Sequence, residues 1–476
     1  MSTEPIASMP RAGRIHRRAL LRGAAGLAAG AALGGLRLRS ALALAAGANG
    51  AAVHAPLPAH FPPRATSLIM VYLTGGFSHL DTFDPKERLK KDHGKIVAAE
   101  SLRETSQMPI LASPFEFRPR GRSGLIVSEL FPRLGDWADD LCVIRTLHTD
   151  IVEHFQGTLA MHTGSATVPL PSLGSWLSYG LGTFNPNLPP YVVLAEHLPY
   201  AGAQVWDSSF LPAEHQGVRI IPGERPVADL DPLPRPATLR QLEENMLRDV
   251  DRIHASLRPG DGRLVARSRS FDVARGMMVE APEVFDLSRE APSTLEEYGV
   301  QRGDVKSVAW QCIIARRLVE RGVRVVEVID TGSHDNWDSH GNMQDHRPKA
   351  ARVDRALGAL IGDLKRRGLL DATLIMIATE FGRTPWANDA GGKGRNHWAK
   401  AFTCLLAGAG VRGGIAYGET DEYGATIARN PVHVHDYHAT ILHLLGIEHT
   451  MLTYRYAGRD FRLTDVSGRV VTEVLA

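Results

Sequence analysis

Short apolar runs rich in β-branched residues recur along this chain of 476 residues, and each is followed by a polar segment. The runs lie at residues 67–73, 140–145, 190–196, 323–329, 372–378 and 402–407. Runs of this kind are typical of strands that are buried on both faces. Patterns of helical period stand between them, at residues 239–257, 264–278, 305–321 and 350–367. The alternation of strand and helix predicts an α/β fold whose parallel sheet has helices on both faces.

Polar side chains follow the run at 372–378 directly, and a Gly-rich loop then leads to the next apolar run. Glu380 and Arg383 come first, and His397 stands just before the run at 402–407. In open α/β sheets, the loops at the carboxyl ends of strands hold the ligand. We therefore expect Glu380, Arg383 and His397 to project into a site.

Two other strand ends carry candidate site residues. The run at 67–73 leads into two glycines, where the backbone can approach a ligand closely, and then into His79, Asp81 and Asp84. These three side chains are either a functional cluster or turn residues with an Asp cap.

Several histidines follow the run at 140–145. A lone histidine is more often structural than a ligand, but His148 and His154 come close together after one predicted strand. We expect these two to belong to a site and His162 to be structural.

The most polar segment of the chain, residues 330–342, follows the run at 323–329. Its candidate ligands are Asp330, His334, Asp338 and His340. Zinc and other divalent metals take carboxylates and imidazoles as ligands. The segment therefore predicts metal binding or catalysis, although Asx turns and a helix cap would use the same residue types.

The amino terminus has the layout of a signal peptide. A basic segment with the pair Arg17-Arg18 precedes a mildly apolar run at 23–36, and small residues at 41–46 offer cleavage sites. The arginine pair is typical of twin-arginine export, which carries folded proteins. The run is too short and too weakly apolar for a convincing membrane span, with an uncleaved anchor as the alternative. We expect a periplasmic or secreted protein with no stable membrane span after signal removal.

The domain organisation follows from these features. We expect residues 1–46 to be a signal peptide and flexible leader, and residues 65–476 to form a single α/β domain. Residues 198–236, rich in Pro, Gly and aromatic residues, are expected to be an irregular insertion that lies over the sheet.

The net charge argues against a nucleic acid partner, and the positions of the cysteines argue against a disulfide framework. The formal net charge of +2 gives no electrostatic reason to expect a nucleic acid partner. Cys142, Cys312 and Cys404 all lie in apolar runs and have no metal-type spacing. We therefore expect three buried thiols rather than a disulfide framework.

Five motifs stand in order between residue 65 and the carboxyl terminus. They are GGFSHLDTFDPK at 75–86, WDSHG at 337–341, EFGRTP at 380–385, NHW at 396–398 and DYHATILHLLG at 436–446. Together they resemble domain of unknown function 1501 (DUF1501), a family of secreted proteins that often carry twin-arginine signals. That family is in turn similar to the alkaline phosphatase and sulfatase superfamily. The resemblance implies a doubly wound, mostly parallel sheet with metal-binding loops at the strand ends.

The superfamily resemblance implies ligands for one divalent metal ion. Asp330 and His334 match an Asp-x-x-x-His ligand pair, and Asp338 with His340 competes for that role. His397 stands where the superfamily has its late histidine ligand. Zinc is the metal expected, with Mn or Ca as alternatives.

The other half of the superfamily site departs from the pattern. Thr-Gly replaces the Asp-Gly expected after the first strand, which leaves Asp81 or Asp84 as a substitute ligand. Glu-Phe-Gly at 380–382 replaces the expected Asp-His-Gly. The position of the nucleophile holds His154, which would act as a nucleophile or a general acid–base, unless water attacks directly.

These observations leave two hypotheses of different classes. The first is an exported metal-dependent hydrolase of sulfate or phosphate esters, whose substrate is a small anionic ester or an envelope glycan. Glu380 would then be a further ligand or a base, and Arg383 would bind an anionic oxygen in bidentate fashion. The second is a non-catalytic protein on a degraded hydrolase fold that binds a cell-envelope ligand.

Overall fold

Each of the six apolar runs forms a strand of one central sheet. The strands in chain order are β1 Ser67–Tyr72, β2 Ile96–Glu100, β3 Thr105–Pro109, β4 Phe117–Arg120, β5 Leu125–Ser128, β6 Leu141–His148, β7 Tyr191–Leu194, β8 Val218–Ile220, β9 Val325–Ile329, β10 Thr373–Ala378, β11 Gly382–Ala387, β12 Arg395–Trp398, β13 Phe402–Gly408, β14 Ile415–Tyr417, β15 Glu419–Thr420, β16 Ile427–Arg429, β17 Val432–His433, β18 Tyr454–Tyr456 and β19 Arg459–Phe461. The runs correspond to β1, β6, β7, β9, β10 and β13, so the predicted strands are confirmed.

The structure, a computed structural model, describes residues 57–100, 105–228, 230, 236–301 and 303–476. The described residues belong to a unit that extends from Ala55 to Ala476. The predicted signal peptide and leader lie outside the described residues. Among the residues described, no helix is both long and apolar enough to cross a membrane.

The central sheet is mixed. Its order is β14-β6-β13-β10-β1-β9-β7-β8, and β17 also pairs with β6. Strands β10, β1, β9, β7 and β8 pair in parallel, whereas β13 runs antiparallel to both β10 and β6. The expectation of a doubly wound, mostly parallel sheet is therefore not confirmed. β13 is antiparallel because it follows the β11–β12 hairpin without the crossover helix that parallel pairing needs. The predicted α/β class is confirmed.

The two faces of the sheet are covered by different helices. The helices are α1 Glu87–Lys91, α2 Pro132–Gly135, α3 His154–Thr163, α4 Leu173–Leu181, α5 Ala237–Ser256, α6 Gly262–Phe285, α7 Pro292–Tyr298, α8 Val308–Glu320, α9 His346–Arg366 and α10 Val434–Leu444. On β1, Ile69 and Val71 pack in a cluster with residues of α8 and α9. Leu68 and Met70 point the other way, into a cluster with residues of α4 and α10. Alternate side chains are thus buried on opposite faces, which explains the continuous apolar run.

Residues 198–236 are not wholly irregular. Within them, β8 pairs in parallel with β7 and adds a strand to the edge of the sheet. A strand of only three residues between turns is too short to show a period in the sequence.

Candidate metal centre

Three side chains from distant parts of the chain converge beside the carboxyl ends of the central strands. His154 is the first residue of α3, Asp338 lies in the segment after β9, and His397 is in β12. One ligand atom from each lies within 4.8 Å of the others. Nε2 of His340 lies beside the same three side chains, 2.9 Å from Oδ1 of Asp338.

His397 presents one ring nitrogen to this cluster. Its Nδ1 donates a hydrogen bond of 2.8 Å to the carbonyl of Val152, because a carbonyl can only accept. Burial lowers the pKa of His397 to about 4, so the ring is neutral near pH 7. The unprotonated Nε2 is therefore left facing Asp338 Oδ1, at 3.2 Å.

His154 is held in a similar way. Its Nδ1 lies 2.7 Å from Oε1 of Glu380, and its Nε2 lies 3.2 Å from Oδ2 of Asp338. The Nε2 atom is buried but has no hydrogen bond of acceptable geometry. Burial disfavours the charged ring, yet Asp338 and Glu380 together raise the pKa of His154 above its usual value. A positive charge at Nε2 is thus favoured by the surroundings.

Glu380 orients His154 rather than facing an open site. Its side chain is fully buried, and Oε1 also accepts a 2.8 Å hydrogen bond from the backbone N–H of Gly75. Oε2 accepts a hydrogen bond of 3.0 Å from the hydroxyl of Tyr72. Both oxygens are therefore occupied by donors, and the role of direct ligand or free base is not supported. A carboxylate behind a histidine is a common partner of a metal-ligating imidazole.

Asp338 is the anionic centre of the cluster. Its Oδ1 lies 2.9 Å from Nε2 of His340 and accepts a 2.7 Å hydrogen bond from Arg383. Burial alone would raise the pKa of Asp338, but the imidazoles and the guanidinium hold it well below its usual range. Nε2 of His340 also lies 2.9 Å from Nε2 of His397. His340 therefore belongs to the same cluster, on its more exposed side.

Arg383 is a structural residue in this arrangement. Its side chain is fully buried, and its donors are directed to the carbonyls of Gly75, Gly76 and Arg395 and to Asp338. The expected bidentate contact with a substrate oxygen is therefore corrected. Because those acceptors already take its N–H groups, Arg383 fixes Asp338 instead.

Asp330 and His334 lie apart from the cluster, although the sequence offered them as an alternative ligand pair. Asp330 accepts hydrogen bonds from the backbone N–H of Thr74 at 3.0 Å and from Nε1 of Trp337 at 2.7 Å. His334 is exposed, and its ring contacts Ser333. Of the two predicted ligand pairs, Asp338 with His340 is the pair that lies next to His397.

Asp81 and Asp84 are committed to other contacts. Asp81 forms a fully buried ion pair of 2.8 Å with Arg395, and the buried Asp84 forms an ion pair of 3.0 Å with the partly exposed Lys86. A carboxylate that already balances a buried cation is not available as a ligand. The expectation that Asp81 binds the metal is therefore corrected. His148 also lies outside the cluster, against the ring of His433.

Sequence reasoning did not find two contacts of the centre. The ring of Tyr200 stacks on His154 with centroids 4.2 Å apart, and its hydroxyl accepts a hydrogen bond from Asn336. The carbonyl of Val152, which orients His397, carries no signal in its side chain. Tyr200 lies in the segment 198–236, where no period or motif marks it.

A cavity of about 960 Å³ is lined in part by residues 330–335, in the segment that also carries Asp338. Its walls include Asp330, His334, Lys306 and Arg352, but none of the three converging ligands. Lys306 pairs with Glu196 and Arg352 pairs with Asp335 across its rim. The residues that line the cavity therefore do not include the centre.

The residues of the centre fit a divalent metal ion. Two imidazole nitrogens and a carboxylate oxygen point at a common space, and both imidazoles are fixed from behind through Nδ1. The buried Nε2 of His154 has no hydrogen bond, so a bound cation would satisfy it. Nitrogen and oxygen donors in this number match zinc better than calcium, which prefers oxygen ligands alone.

Comparisons with known proteins agree with the motifs in the sequence. A family profile described as "Protein of unknown function (DUF1501)" matches residues 65–475, which confirms the resemblance. No curated protein matches the chain.

The chain is also similar to solved structures of the alkaline phosphatase and sulfatase superfamily. The lipoteichoic acid synthase LtaP from Listeria monocytogenes aligns with a TM-score of 0.37 and 9% identity, over 82% of this chain and 74% of its own. A protein of the alkaline phosphatase superfamily from Vibrio parahaemolyticus aligns with a TM-score of 0.36 and 12% identity, over 84% of this chain and 72% of its own. The PsFucS1 sulfatase from Pseudoalteromonas sp. aligns with a TM-score of 0.34 and 12% identity, over 80% of this chain and 68% of its own. Likeness at this level carries no argument about the site.

Proposed function

This chain belongs to the DUF1501 family, and we propose that it is a metal-dependent hydrolase of phosphate or sulfate esters, exported through the twin-arginine pathway. One observation carries the metal part of this proposal. Nε2 of His154, Nε2 of His397 and the carboxylate of Asp338 converge, and none of these atoms carries a proton when both imidazoles are neutral. The reaction class rests on the family resemblance of the motifs.

His154, Asp338 and His397 would hold the ion, and His340 completes the set on the solvent side. A divalent ion bound there would polarise an ester oxygen and help to activate water. Glu380 holds His154 in the tautomer that leaves Nε2 free, and Val152 does the same for His397. These contacts behind the ligands fix the ring orientations before the ion binds.

Arg383 keeps Asp338 ionised and in place. Its guanidinium donates to Oδ1 of Asp338 at 2.7 Å, so the carboxylate cannot rotate away from the imidazoles. His154 has one nitrogen on Glu380 and the other at the centre, which leaves no free nitrogen for nucleophilic attack. We therefore assign attack to water rather than to covalent transfer through His154.

Zinc is the metal that we propose, with Mn as the alternative and Ca the least suited to so many nitrogen donors. The substrate class is a small anionic ester or an ester on an envelope glycan. This choice rests on the family resemblance and the predicted export and not on a substrate-binding cation. Arg383 donates to the carbonyls of Gly75 and Gly76 and to Asp338, so it is not free to bind the substrate.

The metal content of the purified protein tests the proposal. We expect about one equivalent of zinc in the wild type and a strong loss in the His397→Ala variant, because that change removes one of three converging ligands. His334→Ala is the matched control, since His334 is an exposed histidine of the same polar segment as Asp338 and should leave the metal content unchanged. A wild type that stays metal-free after resupply of zinc and manganese would contradict the metal centre.

A panel of phosphate and sulfate esters then tests the reaction. Hydrolysis that is lost in His397→Ala and retained in His334→Ala supports a metal-dependent hydrolase. One observation favours the second candidate, a non-catalytic envelope-binding protein: His154 and Arg383 are both committed to buried partners. Stoichiometric metal without turnover of any ester in the panel would favour that candidate.

A further inference from the structure

Helix α5 exposes an apolar face that nothing in the described structure covers. None of the described residues of α5 is buried. Six apolar side chains, between 43% and 72% exposed, form what we call the α5 stripe: Leu239, Leu242, Met246, Val250, Ile253 and Leu257. Their spacing of three or four residues places them on one side of the helix. Exposed apolar patches of this kind mark contact surfaces in soluble proteins.

Most apolar positions of the α5 stripe are arranged symmetrically about Met246. Leu242 and Val250 stand four residues on either side of Met246. Leu239 and Ile253 stand seven residues on either side of it. Because five of the six apolar positions are mirrored about Met246, a second α5 stripe that runs in the opposite direction matches the first one at these five positions. Leu257 has no mirrored counterpart within the helix.

The charges of α5 argue against a membrane as the occupant. Arg240, Arg248 and Arg252 are outnumbered by four carboxylates on the same helix, from Glu243, Glu244, Asp249 and Asp251. Helices that lie on anionic membranes carry an excess of Lys and Arg on the polar face and aromatic residues on the apolar face. The α5 stripe contains no aromatic residue. Its narrow width is instead typical of a seam between two helices.

We propose that α5 is the contact surface for a second copy of this chain. Two α5 helices pack antiparallel about a two-fold axis that passes beside Met246, so that Met246 meets Met246 of the second copy. Leu242 then packs against Val250, and Leu239 against Ile253, in both directions across the axis. An interface of this kind is isologous, since the same patch serves both copies. A helix of 20 residues spans about 30 Å, so the contact between two such helices buries a small area. We therefore expect a weak dimer whose population depends on protein concentration.

Disulfide trapping tests the register. Cys142, Cys312 and Cys404 are buried, so an introduced thiol is the only one readily accessible to an oxidant in the described part of the fold. We expect Met246→Cys to form a covalent dimer through mild oxidation of two thiols by dissolved oxygen. Arg248→Cys is the control, because two residues further along the helix the side chain points away from the stripe. Equal trapping of both variants would overturn the proposed register.

Light scattering of the full chain tests the dimer itself. The wild type should show a rise toward twice the monomer mass as concentration increases, and Val250→Glu should abolish that rise. Arg248→Glu should leave it in place, and unchanged thermal unfolding of Val250→Glu would show that its fold is intact. A wild type that is monomeric at every concentration overturns the proposal. Sedimentation with phosphatidylglycerol vesicles that Val250→Glu abolishes, without a dimer, would assign the α5 stripe to a membrane instead.

Discussion

Nδ1 of His154 lies 2.7 Å from Oε1 of Glu380, although the two residues stand 226 positions apart in the sequence. The contact decides the role of both. Glu380 is fully buried and holds the imidazole by one nitrogen, so the other nitrogen is aimed at Asp338. Two residues that the sequence suggests as separate catalytic groups thus form one candidate ligand and its support.

Removal of the charge on Glu380 should weaken metal binding without unfolding the protein. In Glu380→Gln, the amide no longer offers two acceptor oxygens to His154, Gly75 and Tyr72, so the ring of His154 loses its fixed orientation. We expect zinc affinity to fall about 10- to 100-fold, as for other partners behind metal ligands. Competition with a chromogenic chelator measures it. Glu87→Gln, at an exposed site, is the control. Unchanged affinity in Glu380→Gln would contradict the supporting role.

Arg383 should matter for stability more than for substrate affinity. Arg383→Met removes a fully buried cation that donates to three carbonyls and to Asp338. We expect the free energy of unfolding in urea to fall by about 3–5 kcal/mol, because the carbonyls and Asp338 are left without their partner. The control is Arg118→Met, whose pair with Glu116 is exposed and should contribute little to stability. A stable Arg383→Met protein with only a raised KM would restore the substrate-binding role.

Gly75 is required by both backbone conformation and space. It has a φ of +108°, and an added Cβ would lie 2.5 Å from Oδ1 of Asn336 and 2.7 Å from the backbone nitrogen of Trp337. Gly94 is a matched control, since its φ is +82° and no atom lies within 4 Å of an added Cβ. We expect Gly94→Ala to cost roughly 1–2 kcal/mol from backbone strain alone, and Gly75→Ala about 1–3 kcal/mol more. Urea unfolding of both variants measures the difference. Equal losses would show that the clash relaxes freely.

Asp330 should make stability fall as pH rises through the weakly acidic range. Burial raises the pKa of Asp330 from 3.8 to about 6. Between these two values Asp330 binds more protons in the native state than in the unfolded state, so its contribution to the free energy of unfolding decreases with increasing pH and levels off above about pH 6. Buried histidines such as His346, whose pKa is lowered to about 3, contribute with the opposite sign. Urea unfolding of the wild type and of Asp330→Asn between pH 4 and 7 isolates the contribution of Asp330, and the decrease should become smaller in the variant. Part of it should persist, because burial also raises the pKa of Asp354 to about 6.

Asp330→Asn also separates the two predicted ligand sets. Asp330 contacts Trp337 and Thr74 rather than the converging imidazoles, so the zinc content of Asp330→Asn should equal that of the wild type. Elemental analysis at pH 7.5 on folded protein measures it, with Asp335→Asn as an exposed control. Loss of zinc in Asp330→Asn alone would return Asp330 to the ligand set.

Several residues of the centre could be predicted because they follow buried strands. Asp338, His340 and His397 were expected as metal ligands from their residue types and from the family motifs, and they lie together. Asp81 shares the same sequence signal, but it balances Arg395 instead. The signal of a polar residue at a strand end therefore does not distinguish a ligand from a buried ion pair.

The sequence by itself determined the strands, the main helices, the α/β class and the family, because these depend on local patterns of apolar residues and on short motifs. Only the tertiary structure decided which polar groups meet. His154 and Glu380 are paired, Arg383 is enclosed, and β13 is antiparallel, since each depends on contacts between segments far apart in the chain. Local residue pattern specifies burial and period, whereas the partner of a buried charge is set by the packing of the whole domain.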